Sequence, residues 1–323
     1  MVGGSGIVGA RAAKTLRRLQ PNLPIAIAAR DRSRAATVAA EVGGPTTTTA
    51  IDLERRDLGL PAGARYSAII VLLKDTSVNT MTYALDHGIP YLSFSDFAFD
   101  IGPEIAQYIQ RPTSAPILML GHLLGGIATL TTLHLAKELG RVDTIEIAGV
   151  IDPEDVGGPA SQADFERLAN GGVGALIRKD GKFLWANGAD ASRRFIDVIG
   201  VERNGQALPV LDVASLAAAT DAKTIRIDLA VREGGDKRGS TELVIELTGE
   251  RLDGTMSRIR YEIVDDDVYG RLSAHGAALA TERLLGLAGG PPVKPGLYHP
   301  EGLIDPAYVI ERLRQFGARL RRV

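Results

Sequence analysis

The stretch that decides the fold is Val2-Gly3-Gly4-Ser5-Gly6-Ile7-Val8-Gly9. Its glycines match the spacing G-x-G-x-x-G from Gly4 and G-x-x-G-x-x-G from Gly3. Such glycines let the chain turn sharply, approach a pyrophosphate without a Cβ in the way, and pack the next helix closely. The pyrophosphate then lies at a helix N-terminus, where unpaired N–H groups and the helix dipole favour an anion. We therefore predict that this stretch binds a dinucleotide through Gly3, Gly4, Ser5, Gly6, Ile7, Val8 and Gly9. The alternative is a glycine-rich turn without a ligand.

The residues that follow supply the rest of a βαβ unit. An apolar stripe with helical spacing, from Val8 through Ala12 and Leu16 to Leu19, precedes a strand predicted at Ile25–Ala29. A first strand normally has about five residues, but only Met1 and Val2 stand before the glycines. Either this strand is truncated or the true start codon lies upstream.

The end of the predicted strand at Ile25–Ala29 indicates which dinucleotide is bound. An NAD site usually has an acidic residue about twenty residues after the glycines, where it binds the ribose 2′-hydroxyl. Here Arg30-Asp31-Arg32 occupies that region. A guanidinium suits a 2′-phosphate, so we predict NADP, with NAD less favoured. Asp31 could still bind a ribose hydroxyl, and Arg30 could be a solvated loop residue. The predicted cofactor contacts beyond the glycines are Arg30, Asp31, Arg32, Leu73 and Lys74.

Strands and helices alternate through the first 120 residues. Further strands are predicted at Thr47–Ile51, Ser67–Leu73, Ile89–Ser93 and Pro116–Leu120, and a helix is predicted from Asp31 to the Gly43-Gly44 pair. Alternation of this kind indicates a parallel sheet covered on both faces. The expected fold class is α/β, a Rossmann-type doubly wound sheet, followed by a second α+β domain on a mixed or antiparallel sheet.

A second domain is predicted because the regular alternation of strands and helices ends after Gly121. A helix at about His122–Leu139 precedes β-rich segments, listed as Val142–Ile151, Ala175–Arg178, Arg194–Val201, Lys223–Arg232, Thr241–Gly249 and Thr255–Val264. Short turn-rich pieces at Glu233–Ser240 and Glu250–Gly254 predict hairpins between the last three. Two helices close the chain, the last with Val309, Leu313, Phe316 and Leu320 on one side. We expect domains at 1–120 (dinucleotide binding), 121–270 (substrate and dimerisation) and 271–323 (helices returning to the first domain).

Composition excludes several classes of function. The 323 residues contain no cysteine, which rules out disulfides, cysteine-ligated metals and cysteine nucleophiles. A formal net charge of −2 gives no general attraction to nucleic acid or to an acidic membrane. No His/carboxylate pattern indicates a metal site. Without a signal sequence or a membrane-spanning stretch, a soluble cytoplasmic protein is expected.

The candidate catalytic residues are those at the predicted strand ends, because ligands of doubly wound sheets bind there. Lys74, Asp96 and His122 are the best-placed titratable groups. The alternatives are a solvated loop for Lys74, a helix cap for Asp96 and a packed residue for His122. No tyrosine has a lysine four residues later, which excludes the usual short-chain dehydrogenase mechanism. In the second domain, strand arginines at 226, 258 and 260 could bind a substrate carboxylate or simply face solvent.

At this point the sequence resembles the saccharopine dehydrogenase-like family of NAD(P)-dependent oxidoreductases. The resemblance rests on the glycine stretch with Ala28–Arg34, on Gly88-Ile89-Pro90-Tyr91, and on Gly296–Glu301, which is similar to the family's closing Gly-x-x-x-Pro-Glu. It implies a cofactor domain, an inserted substrate domain whose sheet often forms a homodimer, and chemistry at C–N bonds of amino acids. The sequence departs from the family at Ser93, where Asp is common, and in carrying Lys74-Asp75.

These observations predict an NADP(H)-dependent oxidoreductase that acts on an imine or carbonyl carbon of a small amino-acid-like molecule. A non-catalytic NADP(H) sensor is the alternative from another class. A pseudo-enzyme that has lost its cofactor through the short first strand is a third.

Overall fold

The computed structural model describes residues 1–152, 157–170, 174–232, 241–267 and 270–323. The predicted turn Glu233–Ser240 lies outside these residues. The helices are α1 Ile7–Leu19, α2 Arg32–Val42, α3 Asn79–His87, α4 Gly102–Gln110, α5 Ile127–Ala136, α6 Pro159–Asn170, α7 Asp212–Ala219, α8 Arg271–Leu284 and α9 Pro306–Gln315. The strands are β1 Ile25–Ala29, β2 Thr46–Ala50, β3 Ile69–Val71, β4 Tyr91–Ser93, β5 Pro116–Met119, β6 Arg141–Ile151, β7 Leu176–Lys179, β8 Lys182–Trp185, β9 Ser192–Ile196, β10 Glu202–Ala207, β11 Thr224–Val231, β12 Thr241–Glu250, β13 Met256–Asp265, β14 Gly296–Tyr298 and β15 Arg319–Arg322.

The chain forms two compact units, and each contains segments that are distant in sequence. Unit 1 consists of Met1–Gly121, Gly157–Glu166 and Ser273–Ile304. Unit 2 consists of His122–Val156, Arg167–Leu272 and Asp305–Val323. Among the described residues, none of the helices has both the length and the apolar character that crossing a membrane requires.

Unit 1 is built on a parallel sheet, as predicted. β1 pairs with β2, and β3, β4, β5 and β14 pair in succession, all in parallel. Val2 bridges Ala28 of β1 and Val71 of β3, which gives the order β2-β1-Val2-β3-β4-β5-β14. The first strand of the βαβ unit is therefore reduced to a single residue. The buried strands β3 and β5 are continuously apolar because helices cover both faces of such a sheet.

Residues close in sequence explain the buried face of α1 and both ends of α2. α1 buries Ala12 and Leu16 of the predicted stripe, and it also buries the neighbouring Ala13. Asp31 caps α2 by accepting hydrogen bonds from the backbone N–H groups of residues 33 and 34, and Gly43 ends the helix with a φ of 65°. Both boundaries confirm the prediction.

Unit 2 contains a mixed sheet with the order β15-β13-β12-β6-β11-β10-β9. β11 runs parallel to β6, and the other neighbours in this order are antiparallel. Its central strands alternate: Ile145, Ile147 and Ile245 belong to the buried apolar face, whereas Glu146 and Glu246 point to the opposite face. The predicted mixed second sheet is confirmed.

Several local predictions for unit 2 were wrong. Lys223–Arg232 and Thr241–Gly249 do not form a hairpin, because β6 lies between β11 and β12. The helix predicted from His122 begins only at Ile127, since Leu124, Gly125 and Gly126 all have positive φ. The last helix ends at Gln315, and Gly317 turns the chain so that Leu320 lies in β15.

Candidate functional site

The carboxyl ends of the parallel strands in unit 1 define the candidate site. Because all these strands run in one direction, the segments that follow them emerge at the same edge of the sheet. These segments are the glycine turn after Val2, Arg30 after β1, Lys74 after β3, Asp96 after β4, Gly121 after β5 and His299 after β14.

The glycine turn has the shape that an anion cradle requires. Gly3 has a φ of +72°, and the N–H of Gly6 donates to its carbonyl at 2.9 Å. A Cβ on Gly9 would lie 2.3 Å from the oxygen of Gly3, so only glycine permits this approach of α1 to the turn. α1 starts at Gly6 with no side-chain cap and no acidic residue in its first turn. Its first N–H groups are therefore oriented to receive a negative charge.

The remaining predicted residues of the turn lie in or against this cradle. Ser5 is half-buried within the turn, and Ile7 and Val8 are the half-buried first residues of α1. The side chain of Leu73 lies against Gly3, 3.3 Å from where a Cβ would stand. Leu73 thus lies beside the glycine turn.

Arg30, Asp31 and Arg32 stand at the end of β1 with different environments. Asp31 accepts hydrogen bonds from Ser33 and the backbone at the start of α2, and these bonds hold the pKa of its carboxyl below the ordinary value. Arg30 and Arg32 are exposed, and neither forms an ion pair with any residue in the described part of the chain. Both guanidinium groups are therefore accessible to an anionic ligand.

Lys74 and Asp96 are brought together in a buried cluster that we call the acid-rich cluster: Lys74, Asp96, Asp100 and Glu104. The Nζ of Lys74 lies 2.9 Å from Oδ1 of Asp96 and 2.7 Å from Oε1 of Glu104. It also donates to the backbone oxygen of Asp100 at 3.2 Å, and the Lys74 side chain is only 10% exposed. Neither the solvated-loop alternative for Lys74 nor the helix-cap alternative for Asp96 fits this arrangement.

The charges of this cluster shift two of its titrations. Burial alone lowers the pKa of Lys74, but Asp96 and Glu104 outweigh it, so the pKa of this ammonium lies above its ordinary value. Burial raises the pKa of Glu104, and the charge of Asp96 raises it further, against the effect of Lys74. Lys74 therefore stays protonated, and burial together with Asp96 favours the protonated form of Glu104.

Two neighbouring features explain the departures from the family pattern. Ser93 donates a hydrogen bond to Oδ2 of Asp96, so the hydroxyl supports the carboxylate three residues later. Asp75 is buried and accepts bonds from the N–H and hydroxyl of Thr80 at 2.8 and 2.7 Å, which fixes the start of α3. A Cβ on Gly121 would lie 1.9 Å from the oxygen of Asp96, so β5 can end beside this segment only with glycine there.

His122, the third predicted catalytic residue, belongs to unit 2. Its Nε2 lies 2.7 Å from the hydroxyl of Ser215, and it is 4% exposed. The turn that it begins is held by Asp212, which accepts from the N–H of Leu123 at 2.7 Å and from the hydroxyl of Thr129 at 2.6 Å. His122 is thus a buried, hydrogen-bonded residue within unit 2.

Sequence reasoning missed two titratable residues at the edge of the unit 1 sheet. β14 joins β5 in parallel, and His299 and Glu301 follow it directly. His299 Nδ1 lies 3.8 Å from Oε1 of Glu301, and their side chains are 28% and 16% exposed. Burial lowers the pKa of His299, and Glu301 opposes that shift. The sequence signal for these two residues is the Gly296–Glu301 motif. It could place them at the sheet edge only if Gly296–Tyr298 had been predicted as a strand.

The three strand arginines of the second domain that were predicted to bind substrate are already paired. Arg226 binds Asp228 in a bidentate arrangement, with Nη2 2.6 Å from Oδ1 and Nε 2.9 Å from Oδ2. Arg258 and Arg260 both pair with Glu246, at 2.8 and 3.3 Å. Each predicted substrate-binding arginine therefore already has a carboxylate partner in the sheet.

The fold was compared with solved structures, and several are similar to it. Apo saccharopine dehydrogenase (L-Glu forming) from Saccharomyces cerevisiae matches over 98% of each chain, with a TM-score of 0.67 and 14% identity. The fold resembles that of saccharopine dehydrogenase. Myo-inositol 2-dehydrogenase from Lactobacillus plantarum covers 98% and 97% of the two chains with 12% identity and a TM-score of 0.49. Biliverdin reductase from Synechocystis, in complex with biliverdin and NADP⁺, covers 96% of each at 13% identity and a TM-score of 0.46.

At these identities only the fold is transferred, and only from the saccharopine dehydrogenase structure. No protein-family model matches the sequence, and no curated protein matches it.

Proposed function

We propose that this chain is an NADP(H)-dependent oxidoreductase that transfers a hydride to or from an imine or carbonyl carbon of a small, amino-acid-like molecule. The observation that carries the proposal is the uncapped start of α1 above a turn that only glycine can form. The residues fit the dinucleotide, because the glycines let α1 start directly against the turn, with its first N–H groups uncapped by any side chain. The fold resembling saccharopine dehydrogenase supports the same class of chemistry.

The preference for NADP(H) is supported by Arg30 and Arg32. Both are exposed at the end of β1, and the nearby carboxylate of Asp31 is occupied in capping α2. An acid committed to a helix cap is less suited to the ribose hydroxyls that distinguish NAD(H), whereas a guanidinium binds a phosphoryl group through paired donors.

The bound nicotinamide would supply or accept the hydride. The backbone N–H groups at the start of α1 hold the diphosphate, and Leu73 packs beside the turn. Lys74 and Asp96 position the segments after β3 and β4 through their ion pair. His299 is a candidate for exchanging the substrate proton, since it follows a strand of the same sheet edge and burial favours its neutral form. His122 is a second candidate.

A coenzyme titration tests the proposal. We expect the fluorescence of NADPH to change on binding to wild-type protein, with NADH bound more weakly. Arg30→Ala should weaken NADPH binding about tenfold or more, the loss of roughly one charge-assisted contact, and leave NADH binding little changed. Arg111→Ala is the matched control, because this arginine follows α4 and pairs with Asp86 and Gln107 instead.

Equal losses for both coenzymes would contradict the NADP assignment, and no binding of either would contradict the proposal as a whole. Gly9→Ala should abolish both, because its Cβ cannot fit. Screening amino acids and keto acids for NADPH oxidation then identifies the substrate class.

A non-catalytic NADP(H) sensor is the second candidate function. The observation that favours it is the mutual pairing of Lys74 and Asp96, two of the three predicted proton-transfer groups. Tight NADPH binding with no turnover across the amino-acid and keto-acid panel would favour this alternative.

A further inference from the structure

The segment that follows β4 in unit 1 is rich in phenylalanine. Phe94, Phe97 and Phe99 stand within six residues and make up three of the seven phenylalanines of the chain. Within β4, Tyr91 and Leu92 are 2% and 0% exposed. The three phenylalanines beyond the end of the strand are only half-buried. The segment therefore presents aromatic surface that the core does not enclose.

Phe97 and Phe99 belong to a tight turn, Phe97–Asp100, which we call the aromatic turn. Their rings are stacked, with centroids 5.6 Å apart and planes inclined by 20°. The N–H of Phe97 donates to Oδ1 of Asp100 at 2.8 Å, and the N–H of Asp100 donates to the carbonyl of Phe97 at 3.1 Å. These two bonds close the turn and keep the rings side by side.

Lys74 holds the aromatic turn at both ends. Its Nζ binds Oδ1 of Asp96, which precedes Phe97, and the backbone oxygen of Asp100, which follows Phe99. Because the chain is fixed on both sides of the two rings, their positions are set before a ligand arrives. A ligand that packs on them therefore loses little binding free energy to ordering the turn.

The aromatic turn follows the carboxyl end of β4, on the side of the glycine turn opposite to Arg30. In the unit 1 sheet, β1 lies on one side of Val2, and β4 lies two strands away on the other. Neighbouring strands are about 4.8 Å apart, so roughly 10 Å separates β4 from Val2. The strand order reverses between Val2 and β3, and dinucleotides bind across such a reversal. With a 2′-phosphate at Arg30, the nicotinamide end of the coenzyme extends toward the aromatic turn.

We propose that the aromatic turn determines substrate specificity, and that the substrate carries a neutral aromatic ring, which packs on Phe97 and Phe99. This inference rests on the proposed function, because the bound coenzyme is what brings the reacting carbon to this edge of the sheet. It narrows the amino-acid-like substrate to one with an aromatic side chain, of the phenylalanine or phenylpyruvate kind.

A neutral ring suits the aromatic turn better than a charged group. The carboxylates of Asp96 and Glu104 face Lys74, and their side chains are only 1% and 4% exposed. That of Asp100 is 18% exposed, and its Oδ1 already accepts from the N–H of Phe97. A charged or hydroxyl group placed against the phenyl rings would lose water without gaining a hydrogen bond. An aromatic ring gains burial and the favourable geometry of ring pairs.

Binding of phenyllactate, a dead-end analogue when NADPH is bound, tests the inference. Ligand-observed NMR titrations of the wild-type protein, with and without NADPH, compare its dissociation constant with those of 2-hydroxy-4-methylpentanoate and 2-hydroxyglutarate. We expect phenyllactate to bind about fivefold more tightly than either, because it alone carries a ring.

Two variants separate the ring from its apolar area. Phe97→Ala should weaken phenyllactate binding about tenfold, and Phe97→Leu, which keeps apolar area without a ring, about threefold. Both should leave the dissociation constant of NADPH unchanged. Phe183→Ala is the matched control, since this phenylalanine is 53% exposed on β8 of unit 2 and its loss should change neither ligand. Circular dichroism and thermal unfolding verify that each variant is folded.

The inference is overturned if either ring-free analogue binds as tightly as phenyllactate, or if Phe97→Ala binds phenyllactate normally. It is also overturned if Phe97→Ala loses NADPH as strongly as phenyllactate, since the rings would then contact the nicotinamide. Wild-type protein that binds no NADPH contradicts the proposed function instead. The titrations without coenzyme then decide the role of the aromatic turn, and in them phenyllactate should still bind more tightly than the two ring-free analogues.

Discussion

Two buried charge clusters, one in each unit, are built in opposite ways. The acid-rich cluster of unit 1 surrounds one ammonium, that of Lys74, with three carboxyl groups. The cluster in unit 2, which we call the arginine-rich cluster, surrounds the carboxylate of Asp228 with Arg193 and Arg226. In each cluster, the single group of one charge is enclosed by the groups of the opposite charge.

The difference lies in what each cluster can do when its central charge is removed. Carboxyl groups can take up protons, and burial together with the charge of Asp96 already raises the pKa of Glu104. Arginines cannot give up theirs at any ordinary pH. The acid-rich cluster can therefore adjust its charge with pH, whereas the arginine-rich cluster depends entirely on its carboxylates.

The largest effect is expected from Asp228→Asn. This carboxylate is fully buried and accepts from Nε of Arg193 and from Arg226. Its removal leaves the nearly buried Arg193 with the more distant Glu146 and Glu246, and Arg226 with the backbone oxygen of Asp190 at 3.4 Å. We expect a loss of about 3–5 kcal/mol in the free energy of unfolding, the usual cost of breaking a buried pair.

Urea unfolding at several pH values measures this loss. It should be the same between about pH 5.5 and pH 8, because the arginines stay protonated throughout. Asp57→Asn is the control, since it breaks an exposed pair with Arg55 and should leave the midpoint unchanged. If the loss in the free energy of unfolding became smaller at low pH, the expected difference between the two clusters would be contradicted.

A smaller and pH-dependent effect is expected from Lys74→Met. Without the ammonium, three carboxyl groups share a buried site, and ionising them all costs free energy. The variant should lose about 3 kcal/mol at pH 8 and about half of that at pH 5.5, because protons bound by the folded state relieve the repulsion. The same urea series measures both values.

The double variant Lys74→Met, Glu104→Gln is the matched control for that mechanism. An uncharged amide at position 104 removes one charge from the site, so stability at pH 8 should recover in part. A deficit in Lys74→Met that is independent of pH would mean that lost packing, and not charge, is the cause.

The clusters also show which parts of the molecule sequence can predict. The glycine turn, the start of α2 after Asp31 and its stop at Gly43 depend on residues a few positions apart, and all three were predicted. Lys74 and Glu104 are 30 positions apart, and their contact depends on how α4 packs. His299 reaches the edge of the unit 1 sheet only because the chain returns there after building most of unit 2.

The strand order of unit 2 was missed for the same reason. A short turn-rich piece between two β-rich segments predicts a hairpin, and that local signal is genuine for β12 and β13. Between β11 and β12 it misleads, because β6, far earlier in the chain, pairs with both. Periodicity identifies strands but carries no information about a distant strand that inserts between them.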